Sequence, residues 1–217
     1  MDAKEEPVTP EEIERRSFEI IEEELRKRNL VLPKKEAPVI LRCIHTSADF
    51  DYARNLVFSE GAMDAAFQAI RQGASVVTDT QMGRAGINEK KLESFHGKLY
   101  CFMSDEDVAA SARENDTTRA AASMEKACRL TGPVIFAIGN APTALLKLCD
   151  LISEGKTDPA LIIGVPVGFV NVIRAKEEVL ALKKTPFIIA KGNKGGSNIA
   201  ACIVNALLYP CLRLPPR

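Results

Sequence analysis

The 217 residues are 46% hydrophobic and 27% charged, enough for one substantial α/β domain with a filled core and too few for two. Lys plus Arg and Asp plus Glu are equal at 29 each, so no global field draws the chain to nucleic acid or an anionic membrane, and an anionic ligand must be held by local charge. The acidic start MDAKEEPVTPEE lacks the basic and apolar blocks of a signal peptide, and no apolar run approaches the roughly 20 residues that span a bilayer, so a cytoplasmic location is expected.

Thr9, Pro10 and Glu12 read as the start of a helix, with a capping hydroxyl and a proline at the first helical position. The pattern runs to about Arg28, with Ile13, Ile20, Ile21 and Leu25 at helical spacing. Ser17 falls on the same stripe, so its hydroxyl either points inward to a partner or bonds back to the carbonyl four residues earlier. Beyond a connection at 30–35, short apolar runs alternate with longer helical patterns, the βα signature of a mostly parallel sheet. Strands are expected at 39–45, 75–79, 99–103, 134–138, 160–165 and 187–191, and helices at 61–71, 106–114, 118–130, 142–153, 175–182 and 198–209. Continuous apolar strands such as VIFAI suit a sheet buried on both faces. The expected architecture is a three-layer α/β/α domain spanning 1–217, with about six strands and loosely held ends at 1–8 and 213–217.

An open parallel sheet binds ligands beyond the carboxyl ends of its strands. Those positions here carry IHTSADFDY, TDTQMGRAGI, IGNAPTAL, GVPVGFVN and AKGNKGGSN, rich in glycine and small hydroxyl residues. Of the two histidines, His96 sits in a polar turn and reads as a surface residue. His45 closes an apolar run beside Thr46, Ser47 and Asp49, so it is the acid/base candidate, with a purely structural hydrogen-bonded histidine as the plainer alternative. Arg42 interrupts the run VILRCI and needs an anion, either an internal acid such as Asp79 or a ligand carboxylate. Arg119 opens a helix whose next residues are alanines, on which a flat ligand or a neighbouring helix could lie. The segment around Lys194, GNKGGSN, offers amides to an anion but matches neither nucleotide-binding glycine pattern. The six cysteines form no C-x-x-C pair and no zinc pattern, and Cys43, two residues from His45, reads as packing within a strand.

The segments RRSFEII, RCIHTSADFDYA, DTQM, TTRAAASM, IGNAPTAL, PALIIGVPVGFVN and GNKGGSNIAACIVNAL, in this order, resemble the precorrin-8X methylmutase family over nearly the whole chain, and HTSADFDY is similar to its cobalt-handling branch. The resemblance implies an isomerase of cobalamin biosynthesis, a homodimer with sites near the subunit interface, and a methyl shift on ring C of a tetrapyrrole to give a corrin product. It implies His45 as the catalytic proton donor and acceptor. Ser17 and Arg42 fall on substrate-contacting positions, and Arg119 lies in the Thr-Arg-Ala segment. With Thr46, Arg84 and Lys194 these form the expected binding set for a polyacid substrate. No cofactor is expected; cobalt, where present, arrives inside the substrate. One departure concerns the family's Glu-Ser-Lys-Glu, which reads Arg174-Ala175-Lys176-Glu177 here, and a milder one places Gln81 where asparagine is common. The rival expectations are a corrinoid carrier without chemistry and, less in keeping with the motifs, a nucleotide-binding α/β enzyme.

Overall fold

A computed structural model describes residues 9–211, with side chains to 209. The expected loose ends lie outside that range. In chain order the elements are α1 (Pro10–Lys27), α2 (Ala37–Ser47), α3 (Tyr52–Asn55), β1 (Leu56–Phe58), α4 (Ala62–Arg71), β2 (Ser75–Thr78), α5 (Gln81–Gly86), α6 (Glu89–Glu93), β3 (Lys98–Tyr100), α7 (Glu106–Glu114), α8 (Arg119–Ala127), β4 (Val134–Ile138), α9 (Pro142–Ser153), β5 (Leu161–Gly164), α10 (Val172–Leu180), β6 (Phe187–Ala190) and α11 (Ser197–Cys211). Helix α1 begins as its sequence dictates, with the Thr9 hydroxyl accepting from the Glu12 amide and Pro10 at the first helical position.

The six strands form one sheet in the order β1-β6-β5-β4-β2-β3, parallel throughout except for β1, which pairs antiparallel with β6. Alternate residues feed two cores, as a strand's two-residue period requires. Ile135, Ala137, Leu161, Ile163 and Ile188 face a layer built from α1, α2, α4 and α11. Phe136, Ile138, Ile162 and Ile189 face the layer of α8, α9 and α10. This is the three-layer architecture expected. The strand and helix assignments elsewhere agree to within a few residues at each end.

The segment 39–45 is a correction: it lies within helix α2 and is not a strand. Pro38 sits at the start of the helix, and Val39, Ile40, Cys43 and Ile44 are the buried residues. Their spacing of one, three and one is that of a helix face; a strand would have buried every second residue. Cys43 and His45 accordingly point to different sides, Cys43 into the core and His45 to solvent. The place of the lost strand is taken by β1, three residues long and at the sheet edge.

Because β2 to β6 run the same way, the segments that follow them emerge along one edge of the sheet. Helices α5, α9 and α11 start there. The approach of β4 to α11 is close enough to require glycine, since a Cβ on Gly139 would stand 2.6 Å from the Ser197 Cα.

Candidate active site

At that edge α1 and α2 bring four side chains together. The His45 ring stacks on Phe18 with centroids 5.1 Å apart and an interplanar angle of 29°. The Arg42 guanidinium lies 4.8 Å from the centroid of the same phenyl ring and is paired with Glu14. His45 and Arg42 project from the side of α2 that its buried residues leave free, and Glu14 and Phe18 are one turn apart on α1. Arg42 is thus neither in a strand nor matched to Asp79; its anion is Glu14, on a half-exposed surface. Ser17, beside Phe18, bonds back to the Ile13 carbonyl at 2.8 Å, the second of its two expected arrangements.

The end of α2 is tied down from two sides. Thr46 donates to the Cys202 sulfur on α11 at 3.1 Å. The Cys43 thiol, together with Thr46 and the nearby Arg42 charge, lowers the Cys202 pKa against the opposing effect of burial. Beyond the helix, Lys194 reaches from the glycine-rich turn after β6 to both Asp49, at 2.6 Å, and Asp51. This pairing lowers the Asp49 pKa and raises that of Lys194. Lys194 therefore braces the loop that follows His45.

A second polar cluster joins the strand ends. Asp79, 1% exposed, accepts from the amides of Gly139 at 2.9 Å, Asn140 at 2.8 Å and Ala141 at 2.6 Å. Burial pushes its pKa up while the amides pull it down. The neighbouring Thr80 hydroxyl is 2.8 Å from that of Ser197. Across the sheet, Thr118 donates to Thr143 at 2.9 Å, joining the start of α8 to the start of α9.

The structure brings Arg42 and His45 together on Phe18, with Thr46 and Lys194 tying down the end of α2 beside them, while Ser17 lies next to Phe18 in sequence and bonds only within its own helix. Arg119 stands apart, at the exposed start of α8 in the opposite layer, beside a shallow depression of about 430 Å³ that Arg113 and Asp116 also line. The alanines after it, Ala120 to Ala122, are buried by protein, so no flat ligand rests on them. Arg84 lies on α5, 3.7 Å from Glu89, with no contact to the His45 cluster. Arg174, at the departure from the family pattern, is exposed and pairs with Glu178 one turn on. Among the described residues no group of three His, Cys, Asp or Glu is placed to hold a metal ion. The sequence reading missed Glu14 and Phe18, although Glu14, Ser17, Phe18 and Ile21 recur at helical spacing on α1.

A sequence model of the precorrin-8X methylmutase family matches residues 12–210. A cobalt-precorrin-8 methylmutase of Priestia megaterium is 45% identical over 200 residues, covering 92% of this chain and 88% of that one. A precorrin-8X methylmutase of Pseudomonas aeruginosa is 36% identical and covers 90% and 93%. The crystal structure of a precorrin-8X methylmutase from Thermus thermophilus superposes with a TM-score of 0.83 at 37% identity, over 93% of this chain and 96% of its own. With an α/β/α fold shared over its length and a sequence match from α1 to α11, the chain belongs to the precorrin-8X methylmutase family, isomerases of cobalamin biosynthesis.

Proposed function

We propose that the chain moves a methyl group on ring C of cobalt-precorrin-8 or precorrin-8X, from the α carbon to the adjacent β carbon, with His45 as the proton donor and acceptor. The observation that carries this reading is an exposed imidazole held by stacking on Phe18 beside the Arg42 guanidinium, at the ligand-binding edge of a parallel sheet. The carbon–carbon bond that breaks is replaced by the one that forms, so no methyl donor is consumed. A proton lent by His45 to the macrocycle during the shift returns to it as the conjugated product appears, and the barrier falls because the interaction is strongest in the transition state.

The substrate's ionised side chains are met by Arg42, Lys194 and, from the opposite layer, Arg119, with Ser17 and Thr46 as neutral contacts and Arg84 at the far rim. Arg42 already holds a carboxylate of the protein, Glu14, and a substrate carboxylate would exchange with it, while Lys194 keeps its pairing with Asp49 and Asp51 and adds its charge to the rim. The active form is a homodimer in this reading. Support comes from Val167, Phe169, Val170 and Ile173, which follow β5 at the same edge and are 48%, 91%, 79% and 46% exposed, an apolar surface suited to association. The reading places the enzyme in the cytoplasm, where the five free cysteines among the described residues would stay reduced.

His45→Ala should lower kcat by about 10²- to 10⁴-fold, the range for removing an acid/base group, while substrate still binds through the charged rim. Substoichiometric wild-type protein mixed with cobalt-loaded and metal-free substrate should convert the whole visible spectrum of at least one. A spectral change limited to the bound fraction would mark a carrier, and wild-type turnover in the His45 variant would remove the histidine from the mechanism.

A further inference from the structure

Among the described residues one cation is buried to 1% exposure and has no acid as partner. Lys176, in α10, donates from its ammonium to the main-chain carbonyls of Gly192 at 2.7 Å and Lys194 at 2.9 Å. Burial pushes its pKa down to about 8, with no neighbouring charge opposing it. A buried ammonium with carbonyl partners alone is costly compared with an apolar residue of similar size, so its N–H groups carry the reason for its place.

Those N–H groups hold a turn that has little regular structure of its own. Gly192, Gly195 and Gly196 all take positive φ, at +77°, +156° and +141°. A Cβ on Gly195 would drive into the Val165 carbonyl, and the Gly196 amide donates to that carbonyl at 2.9 Å. The turn is thus gripped from the β5 side by Val165 and from α10 by Lys176. What projects from it is the Lys194 side chain, closing on Asp49 and Asp51 just beyond the end of α2.

We propose that Lys176 is a positioning residue for the methyl shift: by fixing the carbonyls of the 192–196 turn it sets where Lys194 grips Asp49 and Asp51, and so where α2 presents His45. The proposal rests on His45 being the acid/base group. It makes the Lys176 ammonium part of a relay, α10 to turn to Lys194 to the α2 end, in which Lys176 itself does not touch the macrocycle.

The test is a double-mutant cycle on turnover of cobalt-precorrin-8, with Lys176→Met, Lys194→Ala and the pair, and with Lys176→Arg as the conservative variant. Lys176→Met should lower kcat by about ten- to a hundredfold, the effect of a small misplacement of a catalytic group, with KM changed far less, and Lys176→Arg should recover part of the loss. In the Lys194→Ala background the same substitution should add less than about a twofold effect, because the route is already cut. Multiplying effects, or an unchanged kcat in Lys176→Met, would overturn the proposal. Amide hydrogen exchange of the Lys176→Met protein decides the mechanical link even if wild-type turnover, and with it the functional reading, should fail. Faster exchange at both 192–196 and 48–51 supports the relay, and faster exchange at 192–196 alone refutes it. Should the methionine variant not fold, the same exchange readings on Lys176→Gln and Lys176→Arg carry the decision.

Discussion

Two polar clusters stand at the carboxyl end of the sheet, and they are held in opposite ways. Asp79 is almost wholly buried and all three of its partners are main-chain amides, fixed by the turn between β4 and α9. The Glu14, Phe18, Arg42 and His45 cluster is half-exposed, and every contact in it is between side chains of two helices. A carboxylate sealed by amides has nothing to exchange with, so it serves as scaffold. A surface ion pair on an aromatic ring can trade its acid for another at little cost, which suits a site that takes a polyacid.

Breaking the scaffold should have the larger effect. In Asp79→Asn one oxygen becomes an NH₂ that faces amide donors, leaving at least one buried N–H without an acceptor. We expect a loss of about 2–3 kcal/mol in unfolding free energy, the cost of a stranded buried group together with a lost charge-assisted bond. Urea denaturation checks it. A loss below about 0.5 kcal/mol, the level of an ordinary surface change, would mean that Asp79 is not what ties β2 to the start of α9.

The same contrast governs how much could be read from the sequence. The five parallel strands and their covering helices were legible because continuous apolar runs and helical stripes report burial directly. Segment 39–45 misled because β-branched Val39, Ile40 and Ile44 in a short apolar run suit a strand, while the decisive cue, a polar Arg42 and His45 spaced three apart against buried neighbours, is visible only when the helical face is weighed. Strand β1 was missed because three residues at an edge leave no period to detect. At the site, His45 stood out by scarcity and by its place after an apolar run, Arg42 by interrupting that run and Ser17 by falling on an apolar stripe, and the family motif gave these three their roles. The partners were not legible. That Arg42 meets Glu14 and not Asp79, that Lys194 meets Asp49 and Asp51, and that Lys176 sits beneath the turn all depend on segments up to 145 residues apart in sequence being brought side by side, and charge composition carries no such information.

The exchangeable cluster is sharpened by removing its ring. Phe18 carries both the imidazole and the guanidinium, so Phe18→Leu keeps bulk on α1 but releases two stacked groups. With aromatic contacts of this kind worth about 0.5–1.5 kcal/mol, kcat should fall about two- to tenfold, and Phe18→Tyr should retain most of the activity. Equal activity of Phe18→Leu and wild type would mean that the imidazole is oriented by its helix alone.

Glu14 gives the smallest effect and the one whose sign is most telling. Its carboxylate occupies Arg42 in this structure, so a substrate carboxylate clamped by the same guanidinium must displace it. Glu14→Gln removes the competing charge while keeping the side chain's shape, and KM should drop by about two- to fivefold, the scale of an exposed ion pair. Arg42→Ala should move KM the other way. If Glu14→Gln instead raises KM, the glutamate is a partner that aims Arg42 at the ligand and not a stand-in for it, and the half-exposed cluster would then be preorganised in the manner of the buried one.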